Sequence, residues 1–228
     1  MKFRNYTLAI GAALALLSGA ASAAEGTGFY VGVDAGQSSF DMKKGEIDSG
    51  VAFAIEDVLG LAIVDASSKL DDSDTTYSLF VGYRFLPYLA VEASYLDLGK
   101  ATYKASGTVT DGESLIDANV NLDWDSKGPT LSVLGILPFA DVWDVYARLG
   151  VFFADTKANI KLSALGDSGA VDTSKNTTEF LWGVGGGYTF LDNWTVRLEY
   201  QMIPNLGDKN ETGEFDADRI TLGVLYRF

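Results

Sequence analysis

Four charged residues stand out as able to do chemistry together: Glu92, Arg148, Arg197 and Glu199, accompanied by Asp34, Arg84 and Arg227. Each lies in a segment where apolar residues recur at every second position, and each falls on the other, non-apolar parity. Residues of one parity share a face of a strand, so all seven should project to one side of the sheet these segments build. Acids and bases gathered there, away from bulk water, cannot remain unpaired without a large penalty. Two roles fit. The charges form a satisfied polar plug that fixes strand register, or one pair rearranges and opens a narrow water path. Other chemistry is excluded by composition. The chain has no His and no Cys, which removes imidazole bases, Ser-His and Cys-His nucleophiles, most zinc sites and disulfides. No cofactor or metal is expected. Asp123-Trp-Asp-Ser-Lys-Gly128 is a poor calcium loop because Leu134 stands where the bidentate Glu belongs. Gly183-Val-Gly-Gly-Gly187 has Tyr188 where a nucleotide fingerprint needs another Gly, so it reads as packing.

The segments that position these charges number eight: Phe29–Phe40, Thr76–Phe85, Tyr88–Leu98, Pro129–Leu137, Trp143–Ala154, Thr178–Phe190, Trp194–Met202 and Ile220–Phe228. Their lengths suit strands crossing an outer membrane, about 9–11 residues each. Phe29, Val31, Val33 and Ala35 share one side of the first, opposite Tyr30, Gly32, Asp34 and Gly36. In the last, Ile220, Leu222, Val224, Tyr226 and Phe228 oppose Thr221, Gly223, Leu225 and Arg227. Only the fourth segment lacks a clearly polar face, and its register stays open. Elsewhere no charge falls on the apolar side except Asp97 at the end of the third segment, as lipid exposure demands when a midplane charge costs roughly 2–4 kcal/mol. Glycines crowd the other side, making room inside a barrel whose lumen side chains just fill.

Connections alternate. Leu86-Pro87, Ala140-Asp141-Val142 and Leu191-Asp192-Asn193 are short; residues 41–74, 99–126, 155–176 and 205–218 form long links. Short periplasmic turns and long extracellular loops fit an outer-membrane barrel. Within the first long link, Val51–Leu59 has helical apolar spacing and predicts one or two turns above the barrel. Tyr83, Phe85, Tyr88, Phe139, Trp143, Tyr188, Phe190 and Trp194, with Tyr226 and Phe228, gather at the short-turn ends and read as a periplasmic aromatic girdle.

The N-terminus is consistent with export. Lys2 and Arg4, the apolar run Leu8–Leu17 and Ala21-Ser22-Ala23 make a cleavable signal peptide over residues 1–23, leaving a barrel domain over 24–228. Losing Lys2 and Arg4 takes the net charge from −14 to −16, which argues against nucleic-acid binding. The expected fold is therefore all-β: an eight-stranded antiparallel up-and-down transmembrane β-barrel.

Five stretches carry a family resemblance: Phe80-Val-Gly-Tyr-Arg-Phe85 through Val91-Glu-Ala-Ser-Tyr95, Trp143-Asp-Val-Tyr-Ala-Arg-Leu-Gly150, Arg197-Leu-Glu-Tyr-Gln201, Asn205-Leu-Gly-Asp208 and Leu222-Gly-Val-Leu-Tyr-Arg-Phe228. In order and spacing the chain resembles the transmembrane barrel of the outer membrane protein A family. The resemblance implies residence in the bacterial outer membrane among its lipids and lipopolysaccharide. It also implies insertion by the barrel assembly machinery with periplasmic chaperones, Tyr226 and Phe228 serving as the assembly signal. Glu92 and Arg197 match the acidic and basic positions of the family's central gating pair, whose alternative partners fall at about Val133 and Gly187, neither charged. The chain stops at Phe228, before the family's C-terminal peptidoglycan-binding domain, so a cell-wall tether is not carried over.

The leading expectation is a structural envelope protein with weak pore activity. An adhesin or receptor acting through an unknown extracellular partner at loops 41–74 and 99–126 is the alternative. A lipid-modifying enzyme of the small-barrel kind lacks its His, and a soluble periplasmic ligand-binding barrel is the remaining rival.

Overall fold

The computed structural model describes residues 27–164, 167–208 and 212–228; the expected signal peptide, residues 1–23, lies outside them. Among the described residues the elements are β1 Gly28–Asp41, helix α1 Lys44–Phe53 with a π turn over Ala54–Val58, β2 Ala62–Asp71, β3 Ser73–Leu86, β4 Leu89–Thr110, β5 Leu115–Phe139, β6 Trp143–Ala164, β7 Asp167–Phe190, β8 Trp194–Asp208 and β9 Gly213–Arg227. β1 pairs with β3 and β9, successive strands pair in chain order, and the pairing of β4 with β5 closes the circle. Eight antiparallel strands thus form a barrel. β2 is a ninth strand outside the ring, paired to Thr102–Thr110 of β4.

Parity sorts the side chains. Val33, Leu79, Val81, Leu149, Val184, Leu198 and Leu222 face outward and are exposed, while Tyr30, Phe80, Glu92, Arg148, Arg197 and Thr221 point inward and are buried. β5, whose register the sequence left open, turns Thr130, Ser132 and Leu134 inward and Leu131, Val133 and Leu137 outward. Its inward Leu134 hides the polar signature, because it packs with Tyr30, Ala90 and Tyr146 at the base of the lumen.

Three of the four long links are largely paired strand: β8 and β9 pair again from Leu206↔Phe215 to Asp208↔Gly213, and the other two are longer. β4 and β5 remain paired from Lys100↔Asp125 to Thr110↔Leu115, and β6 and β7 from Asp155↔Asn176 to Ala164↔Asp167. The strand length that lipid requires therefore underestimates these strands, since cross-strand hydrogen bonds continue into water. Gly99 read as a strand end. It is a bulge at φ +76°, where the β4–β5 register shifts between Asp97 and Lys100. A Cβ there would lie 2.7 Å from Asp74 Oδ2. The bulge keeps the ladder going with one extra residue. Asn205 (φ 55°) and Gly207 (φ 101°) lie at the matching irregularity of β8. The result is a wall, β2-β4-β5-β6-β7, rising from one side of the ring.

At the opposite end the turns are tight. Phe139↔Trp143 and Phe190↔Trp194 close three-residue turns. Ala140 (φ 50°), Asp141 (61°), Leu191 (51°) and Asp192 (44°) are left-handed there, at about 1–2 kcal/mol each. The paired strands on either side hold them.

α1 lies against the wall, within the link where helical spacing was read at Val51–Leu59. It begins seven residues earlier, at Lys44. Asp48 accepts hydrogen bonds from the Tyr103 hydroxyl (2.6 Å), Ser68 (2.7 Å) and Lys44 Nζ (2.9 Å). The Tyr103 hydroxyl, with Ser68 and Lys44, holds the Asp48 carboxyl down at about 2. Burial, and then the Asp48 carboxylate, pushes the Tyr103 hydroxyl up to about 12. The depressed Asp48 contributes docking stability above the ordinary carboxylate range, lost as pH falls toward 2. The raised Tyr103 contributes fully below the ordinary phenol range, and that contribution is lost as pH rises through 12. Tyr103→Phe should loosen α1 while leaving the ring intact: amide hydrogen exchange over residues 46–53 should quicken roughly fivefold at neutral pH, the worth of one hydrogen bond of about 1 kcal/mol. Unchanged exchange in the variant would show that Asp48 does not anchor the helix.

Candidate functional site

The inward charges converge because each comes from a strand of the right parity and stands beside a residue small enough to leave it room. Glu92 on β4 is opposite Gly82 and Ser132; Arg197 on β8 is opposite Gly187 and Gly223; Glu199 is opposite Gly185 and Thr221. The glycines also admit two phenols. A Cβ on Gly82 would lie 2.1 Å from Tyr30 Cζ, and one on Gly185 2.5 Å from Tyr146 Cζ.

At the centre two carboxylates and two guanidiniums close a ring. Glu92 meets Arg148 Nη2 at 2.7 Å and Arg197 Nη1 at 2.9 Å. Glu199 accepts from Arg148 Nε at 2.5 Å and lies 3.9 Å from Arg197 Nη2. The Tyr30 hydroxyl donates to Glu92 (3.1 Å), and Tyr146 to Glu199 (2.8 Å). The Arg197 guanidinium also sits 4.1 Å from the centre of the Phe80 ring, a cation–π contact. Two positive and two negative charges balance within this set, so the ring itself carries no net charge.

The network continues toward the long hairpins. Gln201 Nε2 donates to Glu199 (2.6 Å), Arg219 Nε donates to Gln201 Oε1 (2.9 Å), and Arg219 pairs with Asp34 (3.1 Å), which also accepts from Ser78 (2.6 Å). Beyond it the lumen is apolar: Phe40, Leu96, Leu98, Phe152, Leu181, Ile203, Leu206 and Phe215 pack into one buried cluster. Trp124 Nε1 donates to the carbonyl of Thr212 (3.0 Å) and ties the wall to the β8–β9 turn above this cluster.

Five of the seven sequence-predicted charges, Asp34, Glu92, Arg148, Arg197 and Glu199, therefore belong to one network. Arg84 does not. It pairs with Asp144 (3.1 Å) and donates to the Pro87 carbonyl at the short-turn mouth. Arg227 joins neither: its Nε is buried without a hydrogen-bond partner among the described residues. It faces a small cavity of about 30 Å³ shared with Arg84 and Asp144. Sequence reading missed Arg219, Gln201 and Asp144 as members. Their parity was legible, since Arg219 lies two residues before the inward Thr221 and Asp144 two before the inward Tyr146. Arg219 lies just outside the segment Ile220–Phe228, because the apolar alternation begins only at Ile220. The resemblance's alternative partner near Val133 is corrected by geometry: Val133 is 48% exposed and faces outward. Gly187 does point inward, beside Arg197.

Aromatic rings cluster outside the short-turn end. Tyr83 contacts Phe29 and Phe85, each at 4.6 Å between centroids; Trp143 contacts Tyr188 at 4.7 Å and stacks on Phe139 at 6.4 Å; Tyr226 lies 5.1 Å from Trp194 and 5.2 Å from Phe228. Tyr88 and Phe190 are exposed at the same end. The Phe228 N–H donates to the Phe29 carbonyl (3.0 Å), so the last residue is stitched to β1. Among the described residues no group of three or more His, Cys, Asp or Glu side chains could hold a metal ion. Asp123 lies in a strand, accepting from Thr102 at 2.8 Å, and no loop forms there.

Residues 24–228 match the family described as the OmpA-like transmembrane domain. Outer membrane protein A of Serratia marcescens is 35% identical over 153 residues, 65% of this chain and 38% of that protein. Outer membrane protein A of Shigella flexneri is 34% identical over 152 residues, 65% and 39% of the two chains. The matched stretch thus spans about two fifths of the length of these curated relatives. Among solved structures, Neisserial surface protein A is similar with 15% identity, 88% of this chain and 97% of that one covered and a TM-score of 0.44. The N-terminal β-barrel domain of Pseudomonas aeruginosa OprF is similar with 14% identity, 87% and 97% covered and a TM-score of 0.40.

Glu199→Ala would leave Arg148 and Arg197 to share Glu92. Removing one partner of a buried ionic set costs about 3–5 kcal/mol, so the variant's unfolding midpoint in urea should fall sharply, followed by the heat-dependent gel shift of the folded barrel. A midpoint equal to wild type would mean that the ring contributes nothing to stability.

Proposed function

Because this chain belongs to the family of OmpA-like transmembrane domains and resides in the bacterial outer membrane, we propose that it is a structural envelope protein whose barrel is closed to solutes. The observation that carries this reading is the two-layered filling of the lumen. A charge-balanced network occupies the middle, and the Leu96-Leu98-Phe152-Leu181-Ile203 cluster lies on its extracellular side. Opening a water path requires both to give way. Rearranging the Glu92–Arg197 pair alone leaves the apolar layer in place, and each of its fully buried large side chains favours closure by about 1.5–3 kcal/mol. A non-enzymatic role is part of this proposal, supported by a sequence with neither His nor Cys. The envelope role also needs insertion by the assembly machinery and its chaperones, for which the adjoining rings of Tyr226 and Phe228, 5.2 Å apart beside β1, offer an aromatic pair to recognise.

In planar bilayers, purified wild-type protein should show no sustained conductance, and Arg197→Ala should stay closed as well. Steady channels in wild type would overturn the closed-barrel reading. Channels in the variant alone would restore the gate.

A second reading, a surface adhesin, is favoured by the apolar residues exposed on and near α1 and at the wall's tip: Phe53 (61%), Val58 (69%), Leu59 (56%) and Leu115 (71%). Deleting residues 44–71 removes α1 and the extra-ring β2 and spares the eight ring strands. Loss of attachment to host cells by expressing bacteria, with the folded gel mobility retained, supports adhesion; full attachment removes it.

A further inference from the structure

Arginine and lysine are completely segregated among the described residues. Arg84, Arg148, Arg197, Arg219 and Arg227 all lie within the barrel, whereas Lys43, Lys44, Lys69, Lys100, Lys104, Lys127, Lys157, Lys161 and Lys175 lie at or on α1, on β2 or on the long hairpins. The periplasmic turns carry Asp141 and Asp192 and no lysine. Arginine's planar, weakly hydrated fork suits buried carboxylates, while lysine's hydrated point charge suits anions met in water.

The register aligns three of these lysines. Lys69 is opposite Lys104, Lys104 opposite Asn121, and Asn121 opposite Lys161. Directly opposed residues share a face, and strands are about 4.8 Å apart, so the row spans roughly 14 Å of wall. One pleat further, Ser67, Ser106, Asn119 and Ser163 form a parallel row of hydroxyls and amides. A groove of about 830 Å³ runs along both rows. Like charges placed directly opposite destabilise a sheet, and Lys69 and Lys104 are nonetheless opposed. The next row toward the barrel sets Asp71, Asp123 and Asp172 on the same face, Asp123 accepting from Thr102 and Asp172 from Asn159. Asn121 Oδ1 is buried with no hydrogen-bond partner among the described residues.

This face has a definite direction. Counting every second residue up β6 from the lipid-facing Phe153 leads through Asp155, Lys157 and Asn159 to Lys161. The lysine row therefore faces away from the barrel axis, about 26 Å along the strand from the outward-facing Phe153. An oligosaccharide headgroup reaches that height, whereas a simple lipid phosphate does not.

We propose that this row is a binding site for the phosphorylated oligosaccharide headgroup of the outer-leaflet glycolipid. Lys69, Lys104 and Lys161 take the phosphates, while Asn121 and the Ser/Asn row take sugar hydroxyls. The inference rests on the outer-membrane placement above and does not depend on whether the lumen conducts.

Full-length protein in detergent micelles should be titrated with lipopolysaccharide and with the same lipopolysaccharide after phosphate removal. Wild type should prefer the phosphorylated form. The triple variant Lys69→Gln, Lys104→Gln, Lys161→Gln should lose affinity by about a hundredfold, at about fivefold per lysine facing an anionic surface, and lose most of its salt dependence. Lys43→Gln with Lys44→Gln, on α1, should bind like wild type. The free, deacylated phosphorylated oligosaccharide should compete, which locates recognition in the headgroup, whereas inorganic phosphate should not compete at equal concentration. Equal binding by the triple variant, equal binding of the dephosphorylated lipid, no competition by the free oligosaccharide, or tighter binding of a soluble sulfated polysaccharide would each overturn the proposal. The heat-dependent gel shift, run on every variant, reports the barrel separately, so a failed site is distinguishable from a failed fold.

Discussion

In hydrocarbon, every backbone N–H and C=O must be paired within the protein, because no water is there to accept them. A sheet meets that demand only by closing on itself, and the pairing of β4 with β5 is the closure. Once the ring exists, the two-residue period of a strand leaves each side chain a choice of two environments, lipid or lumen. Leu79 and Phe80, or Arg148 and Leu149, are neighbours in the chain and occupy opposite solvents. One misplaced residue in register would exchange them along a whole strand. Fixing the register is therefore the problem that the interior has to solve.

The interior solves it with charge and with size. Glu92, Arg148, Arg197 and Glu199 come from β4, β6 and β8 and satisfy one another only when all three strands are in register. Tyr30 and Tyr146 reach the two carboxylates across Gly82 and Gly185, positions that a methyl group would block. Large and absent side chains alternate around the barrel, filling a lumen of fixed width. Above the charges, the chain reverts to an ordinary apolar core, with Leu98 and Leu206 fully buried. The barrel is thus sheathed in apolar residues, polar at its waist and apolar again at its throat, and the last of these layers belongs to no lipid-facing rule.

Outside the membrane the same strands continue under different physics. Beyond the bulge at Gly99, the outward parity carries Lys100, Thr102, Lys104 and Ser106 where it carried Ala93 and Tyr95 below. The inward parity keeps Ala101, Tyr103 and Val109 buried, now with α1 and the rest of the wall as cover. Because cross-strand pairing remains favourable in water, though no longer obligatory, nothing ends a strand at the membrane boundary. A hairpin ends where turn residues such as Asp111-Gly112 stop the ladder.

Outside the segment Pro129–Leu137, alternation determined which residues face lipid, and with the connection lengths it determined that the chain is a barrel and that Asp34, Glu92, Arg148, Arg197 and Glu199 share an interior. Parity is a local property, written in every pair of neighbouring residues. The short turns and the aromatic end were equally legible, because lipid thickness and the membrane interface act on each strand separately. Only the tertiary structure decided which charges touch, that Arg219 and Gln201 extend the network while Arg84 pairs with Asp144 at the mouth, and that residues 99–126 and 155–176 are hairpins. It also decided that Lys69, Lys104 and Lys161 fall in one row. These depend on register between strands far apart in sequence, which is fixed by closure of the ring and by bulges at single residues, and no local pattern in the chain encodes that sum.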